Sequence, residues 1–386
     1  MTDTASALSM LDTLVGFDTV SRKSNLALIE YVKGLFGAHG IECRLVYNEH
    51  KTKANMLATV GPNIPGGIVL SGHTDVVPVE DQDWHSDPFK IIERDNRIYG
   101  RGTCDMKGFV AIALAALPDM IKANLKRPIH FALSFDEEVG CIGVPSLIKV
   151  LNAELPKPSA VIVGEPTDMK VVTAHKGIMG LRTAITGHEA HSSQPHRGVS
   201  AVMIAAELIE FLRVLSLEAA SSTVKNPLFT PDHTTITVNR IEGGTALNIL
   251  AGHCTFQWDI RALPEDDPAA YRDRFIAHCN DAVLPRMKLI ADTCKIETTQ
   301  RSNTPALKPD SGSEAEQICR ALTGDNETRS VSFAAEAGLF QSSGLATVIC
   351  GPGSIAQAHQ PNEFIERSQM DLGVKFMNDL IRHVSR

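Results

Sequence analysis

Four apolar runs in this sequence end close to a histidine or a carboxylate. Runs of this length, separated by turns and alternating with helical patterns, are typical of strands buried inside a sheet. In an open α/β sheet, ligands bind at the edge formed by the carboxyl ends of the strands. We therefore expect one site there, built from residues that follow four different strands: His73, the pair Glu137 and Glu138, Glu165, and His359.

Asp105 adds a fifth candidate ligand to this set. It follows the turn Tyr99–Gly102 and precedes a helix that begins near Gly108. A carboxylate in that position faces helix N–H groups and can also bridge two cations. Histidine, aspartate and glutamate ligands suit zinc or a similar divalent metal, and five of them suit two ions that share one carboxylate. The predicted metal ligands are His73, Asp105, Glu138, Glu165 and His359.

Two neighbours of these ligands have the right chemistry for supporting roles. Glu137 is not needed as a ligand and is a candidate general base, able to take a proton from a water shared by two metals. Asp75 lies two residues after His73 and is a candidate acceptor for the second imidazole N–H, which would fix the tautomer.

Each of these residues taken alone is weak evidence. The chain has 14 histidines, and any one of them is more often a surface or hydrogen-bonded residue than a ligand. A lone Glu-Glu pair is usually the solvated start of a helix. The prediction therefore depends on the joint placement at strand ends.

The elements that position the site predict an α/β fold. Helical spacing of apolar residues indicates two helices in the first 40 residues and a third from Gly108 to Leu117. Together with the apolar runs, they predict a catalytic domain with a mixed, mostly parallel sheet between helix layers. The predicted strands lie at residues 41–47, 54–60, 68–70, 129–135, 160–163 and 346–350.

Between about residues 178 and 299 the pattern changes. A strand at 180–186, a helix after Gly198, strands at 234–241 and 253–263, a helix at 268–283 and a strand near 288–297 follow one another. This βαββαβ order is ferredoxin-like. We expect an inserted α+β domain at 178–299, inside a catalytic domain made of residues 1–177 and 300–386. The segment Arg301 to Gly312 would be the return linker.

Composition narrows the class of protein. With 386 residues and a net charge of −8, the chain is long enough for two domains and is a poor candidate for nucleic-acid binding. Its longest apolar stretch, Phe109 to Leu117, is too short to span a membrane, and the N-terminus does not resemble a secretory signal. We expect a cytoplasmic protein. A serine hydrolase and a nucleotide-binding enzyme are poorly supported, since the motifs G-x-S-x-G, G-x-G-x-x-G and Walker A do not occur.

Several stretches together resemble one known family. SGHTDVVPV (71–79), YGRGTCDMKG (99–108), DEEVG (136–140), GEPT (164–167), AHSS (190–193) and GPGS…AHQPNE (351–363) are similar to motifs of the di-zinc family of aminoacylase, succinyl-diaminopimelate desuccinylase and glutamate carboxypeptidase. The resemblance covers essentially the whole chain. It implies that His73 and Glu165 hold one zinc, Glu138 and His359 the other, and Asp105 both, with cobalt as an alternative metal. It also implies that Glu137 is the general base and that the Asp105–Met106 peptide bond is cis.

The resemblance assigns roles in the inserted domain too, which would be the lid and dimerisation domain of a homodimer. His191 would reach into a partner subunit's site and stabilise an oxyanion, while Asn248 and Arg261 would bind the amide and the carboxylate of the substrate. Glu336, in the segment AAEAGLFQ (334–341), is the candidate for recognising a cationic substrate amine. The segment His188 to His191 looks like a zincin motif, but its histidines are three residues apart rather than four.

The resemblance, together with Glu336 and Arg261, implies hydrolysis of the amide bond of N2-acetyl-L-ornithine, a step of arginine biosynthesis, as the expected reaction. Succinyl-diaminopimelate and acetylcitrulline are alternative substrates that the sequence leaves open. A non-catalytic binding protein on the same scaffold is a further alternative, although the intact ligand set and Glu137 argue against it.

Overall fold

The chain folds into two units, one inserted into the sequence of the other, and the computed structural model describes every residue from Met1 to Arg386. The first unit contains Met1–Ala174, Leu307–Ser330 and Ala335–Arg386. The second unit contains His175–Ala306 and Val331–Ala334.

Residues up to the first crossing between the units form five helices and eight strands. The first helix begins after Asp3, whose side chain accepts a hydrogen bond from the N–H of Ser6 at 2.8 Å and so caps the first turn. The helices are α1 (Thr4–Val15), α2 (Leu26–Gly37), α3 (Lys107–Ala115), α4 (Leu117–Lys122) and α5 (Val144–Glu154); the strands are β1 (Cys43–Tyr47), β2 (Ala54–Val60), β3 (Ile68–His73), β4 (Ile92–Arg94), β5 (Arg97–Tyr99), β6 (Ile129–Ser134), β7 (Ala160–Val163) and β8 (Ala174–His175).

The second unit has the predicted βαββαβ order around one antiparallel four-stranded sheet, with strand order β10-β11-β9-β12. Residues of β9 alternate between buried and half-buried, as expected for a sheet with helices on one face only. Its elements are β9 (Gly177–Thr186), α6 (Ala201–Ser221), β10 (Thr235–Gly243), β11 (His253–Ala262), α7 (Pro268–His278), α8 (Leu284–Lys288) and β12 (Lys295–Thr304), with a short 3₁₀ turn at Pro195–Arg197 and a π-helical turn at Cys279–Val283.

The prediction for the last strand of this unit was wrong by several residues. The helical region continues through the π-helical turn to Lys288, because the buried residues Val283 and Met287 are four apart and point to the same core. The strand therefore begins at Lys295 and extends to Thr304. The first residues of the predicted return linker consequently belong to β12.

The remaining residues complete the first unit. They contribute α9 (Glu314–Thr323), the short strand β13 (Ser330–Val331) at the second crossing between the units, α10 (Ala337–Ser342), β14 (Thr347–Ile349), β15 (Phe364–Glu366) and α11 (Arg367–Val384).

The main sheet of the first unit has six strands in the order β1-β2-β6-β3-β7-β14. The last four are parallel neighbours, whereas β2 pairs in antiparallel fashion with both β1 and β6. These pairings confirm a mixed, mostly parallel sheet. Every residue of β3 and β6 is buried. Because successive side chains of a strand point to opposite faces, both faces of the sheet must be covered. One group of mutually contacting helices is α1, α3 and α11, and another is α5 and α10.

No helix in the structure is long and apolar enough to cross a membrane.

Candidate metal centre

The predicted ligands of the first unit meet at the carboxyl edge of the parallel strands. His73 is the last residue of β3, and Glu165 follows the neighbouring strand β7 by two positions. Glu138 follows β6 on the other side of β3, and His359 lies in the loop after β14. The strand order thus makes neighbours of residues that are far apart in the sequence.

His73 and Asp105 form the buried centre of this cluster. His73 Nε2 lies 3.0 Å from Asp105 Oδ1 and 3.8 Å from Glu165 Oε1. All three side chains are almost completely buried. The Asp105–Met106 peptide bond, where the loop enters α3, is cis as predicted.

The second oxygen of Asp105 faces the other histidine. His359 Nε2 lies 3.3 Å from Asp105 Oδ2 and 2.9 Å from Glu138 Oε2. Tetrahedral ligands about 2.0 Å from a zinc ion are about 3.3 Å from one another. The donor atoms on both sides of Asp105 are spaced accordingly.

The chemistry of the donor set also fits a metal centre. Donor atoms of His73, Glu137 and Glu165 lie within 4.8 Å of one another, and so do those of His73, Asp105 and Glu138. Glu138 Oε1 is buried without a hydrogen-bond partner, an unfavourable state that a bound cation would relieve. Imidazole and carboxylate donors in this number suit zinc or another divalent metal of the first transition row.

Crowding of acidic groups changes their proton affinities. Burial, reinforced by neighbouring carboxylates, raises the pKa of Glu138 to about 7 and lifts the pKa values of Glu137 and Glu165 well above their usual range. Hydrogen bonds to Asp105 and Glu138 raise the pKa of His359 to about 10. Burial acts against ionisation of Asp105, but its bonds to both histidines outweigh burial and lower its pKa. The cluster therefore retains protons in place of the positive charge that a metal would bring.

We expect the metal-free protein to lose stability as the pH rises from about 7 to about 8.5, because groups whose pKa is raised by folding then hold protons that the unfolded chain has released. Burial lowers the pKa of Lys107 to about 7 and also lowers the pKa of Lys176, and both shifts act in the opposite direction. The groups whose raised pKa acts in this pH range are more numerous: Glu137, Glu165, His73 and His359. Glu138 and Glu336, with pKa values of about 7, make most of their contribution below this range.

Thermal unfolding of chelator-treated and zinc-loaded protein at both pH values measures this effect. The melting temperature of the chelated protein should fall by several degrees, and zinc should stabilise the protein more strongly at the higher pH, where fewer protons must leave the ligands. A chelated protein that is equally stable or more stable at the higher pH would contradict the expectation.

The candidate general base Glu137 is held from two sides. Its backbone N–H donates to Asp75 Oδ1 at 3.1 Å, and the N–H of Glu138 donates to Asp75 Oδ2 at 3.3 Å. The thiol of Cys141 donates to Glu137 Oε1 at 3.2 Å. The tight turn after β6 therefore directs the Glu137 carboxylate and the Glu138 carboxylate into the same buried space.

Asp75 makes a different contact from the one the sequence suggested. His73 Nδ1 lies 2.9 Å from the backbone carbonyl of Asp75, whereas the nearest carboxylate oxygen of Asp75 is 3.7 Å away. The carbonyl is thus the acceptor that fixes the imidazole. The carboxylate instead holds the Glu137–Glu138 backbone and accepts a hydrogen bond from Ser21 Oγ at 2.7 Å.

Glu336 lies in the first unit, directly before α10, and only 1% of it is exposed. Ser71 Oγ donates to Glu336 Oε2 at 3.2 Å, and burial raises the pKa of the carboxyl to about 7. Its other oxygen has no hydrogen-bond partner. The electrostatic influence of Glu336 contributes to the raised pKa of Glu137, so it belongs to the surroundings of the metal cluster.

The other predicted substrate-binding residues lie in the second unit. His191 is exposed, and its Nδ1 lies 2.7 Å from Ser193 Oγ. The carbonyl of Asn248 accepts a hydrogen bond from the N–H of Ser192, so this segment and the His191 loop are adjacent. Arg261 is on β11, with Nε 3.4 Å from Asp259 Oδ2. The segment His188 to His191 is not helical, which rules out a zincin helix there.

Sequence reasoning overlooked three residues around the cluster. They are Ser21, which donates to Asp75, Cys141, which donates to Glu137, and Glu363, which accepts from the backbone N–H groups of Gly102, Cys104 and Asp105. Ser21 and Cys141 belong to no periodic pattern. Glu363 lies within the segment AHQPNE, and its acidic character four residues after a predicted ligand was the signal that could have identified it.

The mixed sheet brings imidazoles and carboxylates together at its carboxyl edge, beside a buried candidate base. This is the arrangement of a metal-dependent amide hydrolase. Residues 69–383 match the model of peptidase family M20/M25/M40, and the chain belongs to that family.

Relatives along nearly the whole chain agree with this assignment. The chain is 33% identical to the acetylornithine deacetylase of Photorhabdus laumondii over 94% of its own length and 91% of the relative's. It is 30% identical to the acetylornithine deacetylase of Pasteurella multocida over 97% of its length and 96% of the relative's.

Solved structures show the same fold. An M20 family metallo-carboxypeptidase from Sulfolobus solfataricus superimposes with a TM-score of 0.76 at 17% identity, covering 98% of this chain and 99% of that one. A tripeptidase from Staphylococcus aureus superimposes with a TM-score of 0.73 at 23% identity, covering all of both chains.

Proposed function

We propose that this enzyme hydrolyses the amide bond of N2-acetyl-L-ornithine to L-ornithine and acetate, as a cytoplasmic step of arginine biosynthesis. The observation that carries the proposal is the buried carboxylate of Glu137 beside two histidines that share Asp105. The choice of acetylornithine is supported by the relatives of that activity, which the chain matches over nearly their full length.

We propose two zinc ions per chain, although cobalt suits the same donors. His73 and Glu165 would hold one ion, Glu138 and His359 the other, and each would take one oxygen of Asp105. When bound, such a metal pair polarises the acyl carbonyl and lowers the pKa of the attacking water.

Glu137 then acts as the general base. Its carboxylate accepts one proton as the water oxygen attacks the acyl carbon, and it returns that proton to the amine nitrogen as the C–N bond breaks. The anchoring of its backbone by Asp75 and of its carboxylate by Cys141 limits its motion between the two transfers.

Residues of the second unit are proposed to bind the rest of the substrate. The ring of His191 contacts Ser193 through Nδ1, which leaves Nε2 to donate to the developing oxyanion in the site of a partner subunit. Arg261 presents a guanidinium that can bind the α-carboxylate through two N–H groups, and the Asn248 amide would bind the amide of the substrate.

We further propose that the protein is a homodimer formed through the second unit. On α6, Met203 and Leu217 are 70% and 54% exposed and lie 14 residues apart, which places both on one face of the helix. Val214, 37% exposed, lies between them on the same face, and exposed apolar residues aligned in this way suit a surface that meets another chain.

Steady-state kinetics on three substrates test the proposed specificity. We expect kcat/KM for N2-acetyl-L-ornithine to exceed the values for acetylcitrulline and succinyl-diaminopimelate by about tenfold or more, because losing one charge-assisted contact costs at least about 1.4 kcal/mol. A higher kcat/KM for acetylcitrulline or succinyl-diaminopimelate would identify that compound, instead of acetylornithine, as the preferred substrate. No hydrolysis of any of them by zinc-loaded protein would refute the proposal.

The same comparison tests Glu336. Acetylcitrulline has nearly the shape of acetylornithine but a neutral end, so the ratio of the two kcat/KM values measures recognition of the cation. If Glu336 contributes that recognition, Glu336→Gln should bring the ratio close to one while hydrolysis of acetylcitrulline persists. An unchanged ratio would show that Glu336 does not recognise the cation and has only a structural role near the cluster.

A further inference from the structure

The loop that carries Asp105 is wrapped around a single buried carboxylate, that of Glu363. Glu363 Oε1 accepts hydrogen bonds from the N–H groups of Cys104 at 2.8 Å and Asp105 at 3.0 Å. Its Oε2 accepts from the N–H of Gly102 at 3.0 Å and from Arg101 Nη1 at 2.7 Å. Four donors from five consecutive residues therefore converge on one side chain, and one of them is the backbone N–H of the bridging aspartate.

The same carboxylate belongs to the loop that carries His359. Glu363 is four residues after His359, and its carbonyl accepts a hydrogen bond from the N–H of Gly100 at 3.0 Å. Arg101 Nη1 also donates to the carbonyl of Gln360, the residue after His359, at 3.3 Å. Directly beyond Glu363, β15 pairs with β5, so the two loops remain in fixed register.

Arg101 and Glu363 are a buried ion pair, each with about 1% of its side chain exposed. The Arg101 guanidinium lies over the Trp84 ring, 5.0 Å from its centroid, and it donates through Nη2 to the side-chain oxygen of Gln82. Gln82 in turn donates to the carbonyl of His359 at 2.9 Å. Arg101 therefore connects the Asp105 loop to His359, through Gln82, and to Glu363 directly.

Glu363 is not itself a further metal ligand. Each of its two oxygens accepts hydrogen bonds from two N–H groups. None of its contacts is with an imidazole nitrogen or a carboxylate oxygen of the metal cluster. A carboxylate so placed contacts the metal centre only through the loops it holds.

We propose that Glu363, together with Arg101, is a positioning residue that sets the distance between Asp105 and His359 and so completes the second metal position. This inference rests on the proposed metal function. The second position is the sensitive one because the His359 side chain is 52% exposed on a loop, whereas His73 is buried at the end of a central strand. Loss of the Glu363 charge should therefore weaken zinc binding at Glu138 and His359 much more than at His73 and Glu165.

Calorimetric titration of chelator-treated protein with Zn²⁺ tests the proposal without any substrate. Wild type should bind two ions, whereas Glu363→Gln should keep one site within about threefold and weaken the other by about 10- to 100-fold, the usual effect of removing a partner that orients a ligand. Glu363→Asp keeps the charge and should recover part of the loss. The control is Glu366→Gln, which removes a half-exposed pair with Arg97 three residues further along and should bind zinc like wild type.

The double variant H359A/E363Q identifies the site that is affected. If Glu363 acts through His359, adding E363Q to H359A should change the affinity of the remaining ion by no more than about threefold, since effects at one shared site do not add. Two sites of wild-type affinity in E363Q, or equal weakening of both sites, would overturn the proposal.

A second variant decides the question if E363Q does not fold. Arg101→Lys keeps a positive charge but loses the forked donors, and it should weaken only the second zinc, by about 3- to 10-fold. Unchanged zinc binding in Arg101→Lys would overturn the proposal. Failure of the proposed function is distinguishable, because it would appear as two zinc ions bound by wild type without amide hydrolysis.

Discussion

Replacing Glu137 by glutamine should abolish amide hydrolysis while zinc binding is retained. The amide has the shape of the carboxylate and can keep the contact with the Cys141 thiol, but it cannot accept a proton from water at neutral pH. Turnover should fall by about 10³- to 10⁴-fold, at the upper end of what general acid–base catalysis contributes. Glu137→Ala should fall at least as far, and both are checked by kcat on N2-acetyl-L-ornithine and by zinc analysis.

Zinc content distinguishes a base from a ligand. Donor atoms of Glu137 lie within 4.8 Å of those of His73 and Glu165, so the geometry alone would also allow Glu137 to bind metal. If Glu137 is only a base, its replacement should leave about two zinc ions bound per chain. If it is a ligand, its replacement should lower the zinc content. Retained turnover, or a fall to one zinc, would contradict the assignment. Glu137→Asp is the control that keeps a carboxylate, and its activity should lie between those of wild type and Glu137→Gln.

The position of the site was predictable because it depends on features that repeat along the chain. Buried parallel strands are short apolar runs, and their carboxyl ends share one edge, so His73, Glu138 and Glu165 could be placed together before any contact was known. The sheet order β6-β3-β7-β14 makes these strands immediate neighbours.

Contacts made by single side chains in loops were not predictable in this way. Whether His73 Nδ1 meets the carbonyl or the carboxylate of Asp75 depends on the path of two residues after a strand, which no periodicity describes. The four hydrogen bonds to Glu363 likewise depend on the turn between β5 and α3. Sequence patterns thus identify the residues of such a site better than the contacts that orient them.

The error at the end of the second unit has a related cause. Residues 279–288 are helical through a π-helical turn, and the strand that follows is an edge strand with many polar residues, including Thr298 and Asn303. An edge strand with one exposed face has little apolar signal. Without such a signal, the strand was predicted too early, near residues 288–297.

Replacing Asp105 by asparagine should have the second large effect, and it should act on both metal positions together. Asp105 Oδ1 faces His73 and Asp105 Oδ2 faces His359, at 3.0 and 3.3 Å. An asparagine side chain has one oxygen, and its NH₂ group would point towards one of the two ions. We expect the zinc content to fall below two per chain and kcat/KM to fall by about 10³-fold or more, since even removing a partner that orients a ligand costs 10- to 100-fold in affinity or activity.

Stability provides a measure of this effect that is independent of catalysis. If Asp105→Asn binds zinc about 100-fold more weakly, zinc contributes about 2.7 kcal/mol less to the free energy of unfolding at a fixed excess of metal. The zinc-induced rise in melting temperature, measured for each protein against its own chelated form, should therefore shrink. The chelated variant should itself be less stable than chelated wild type, because it loses the bonds of Asp105 to both histidines. Asp95→Asn is the matched control, because Asp95 is exposed in a turn and pairs only with Arg94 in its surroundings. Two zinc ions bound with wild-type affinity by Asp105→Asn would show that this carboxylate does not bridge them, and the two histidines would then have to be assigned to separate sites.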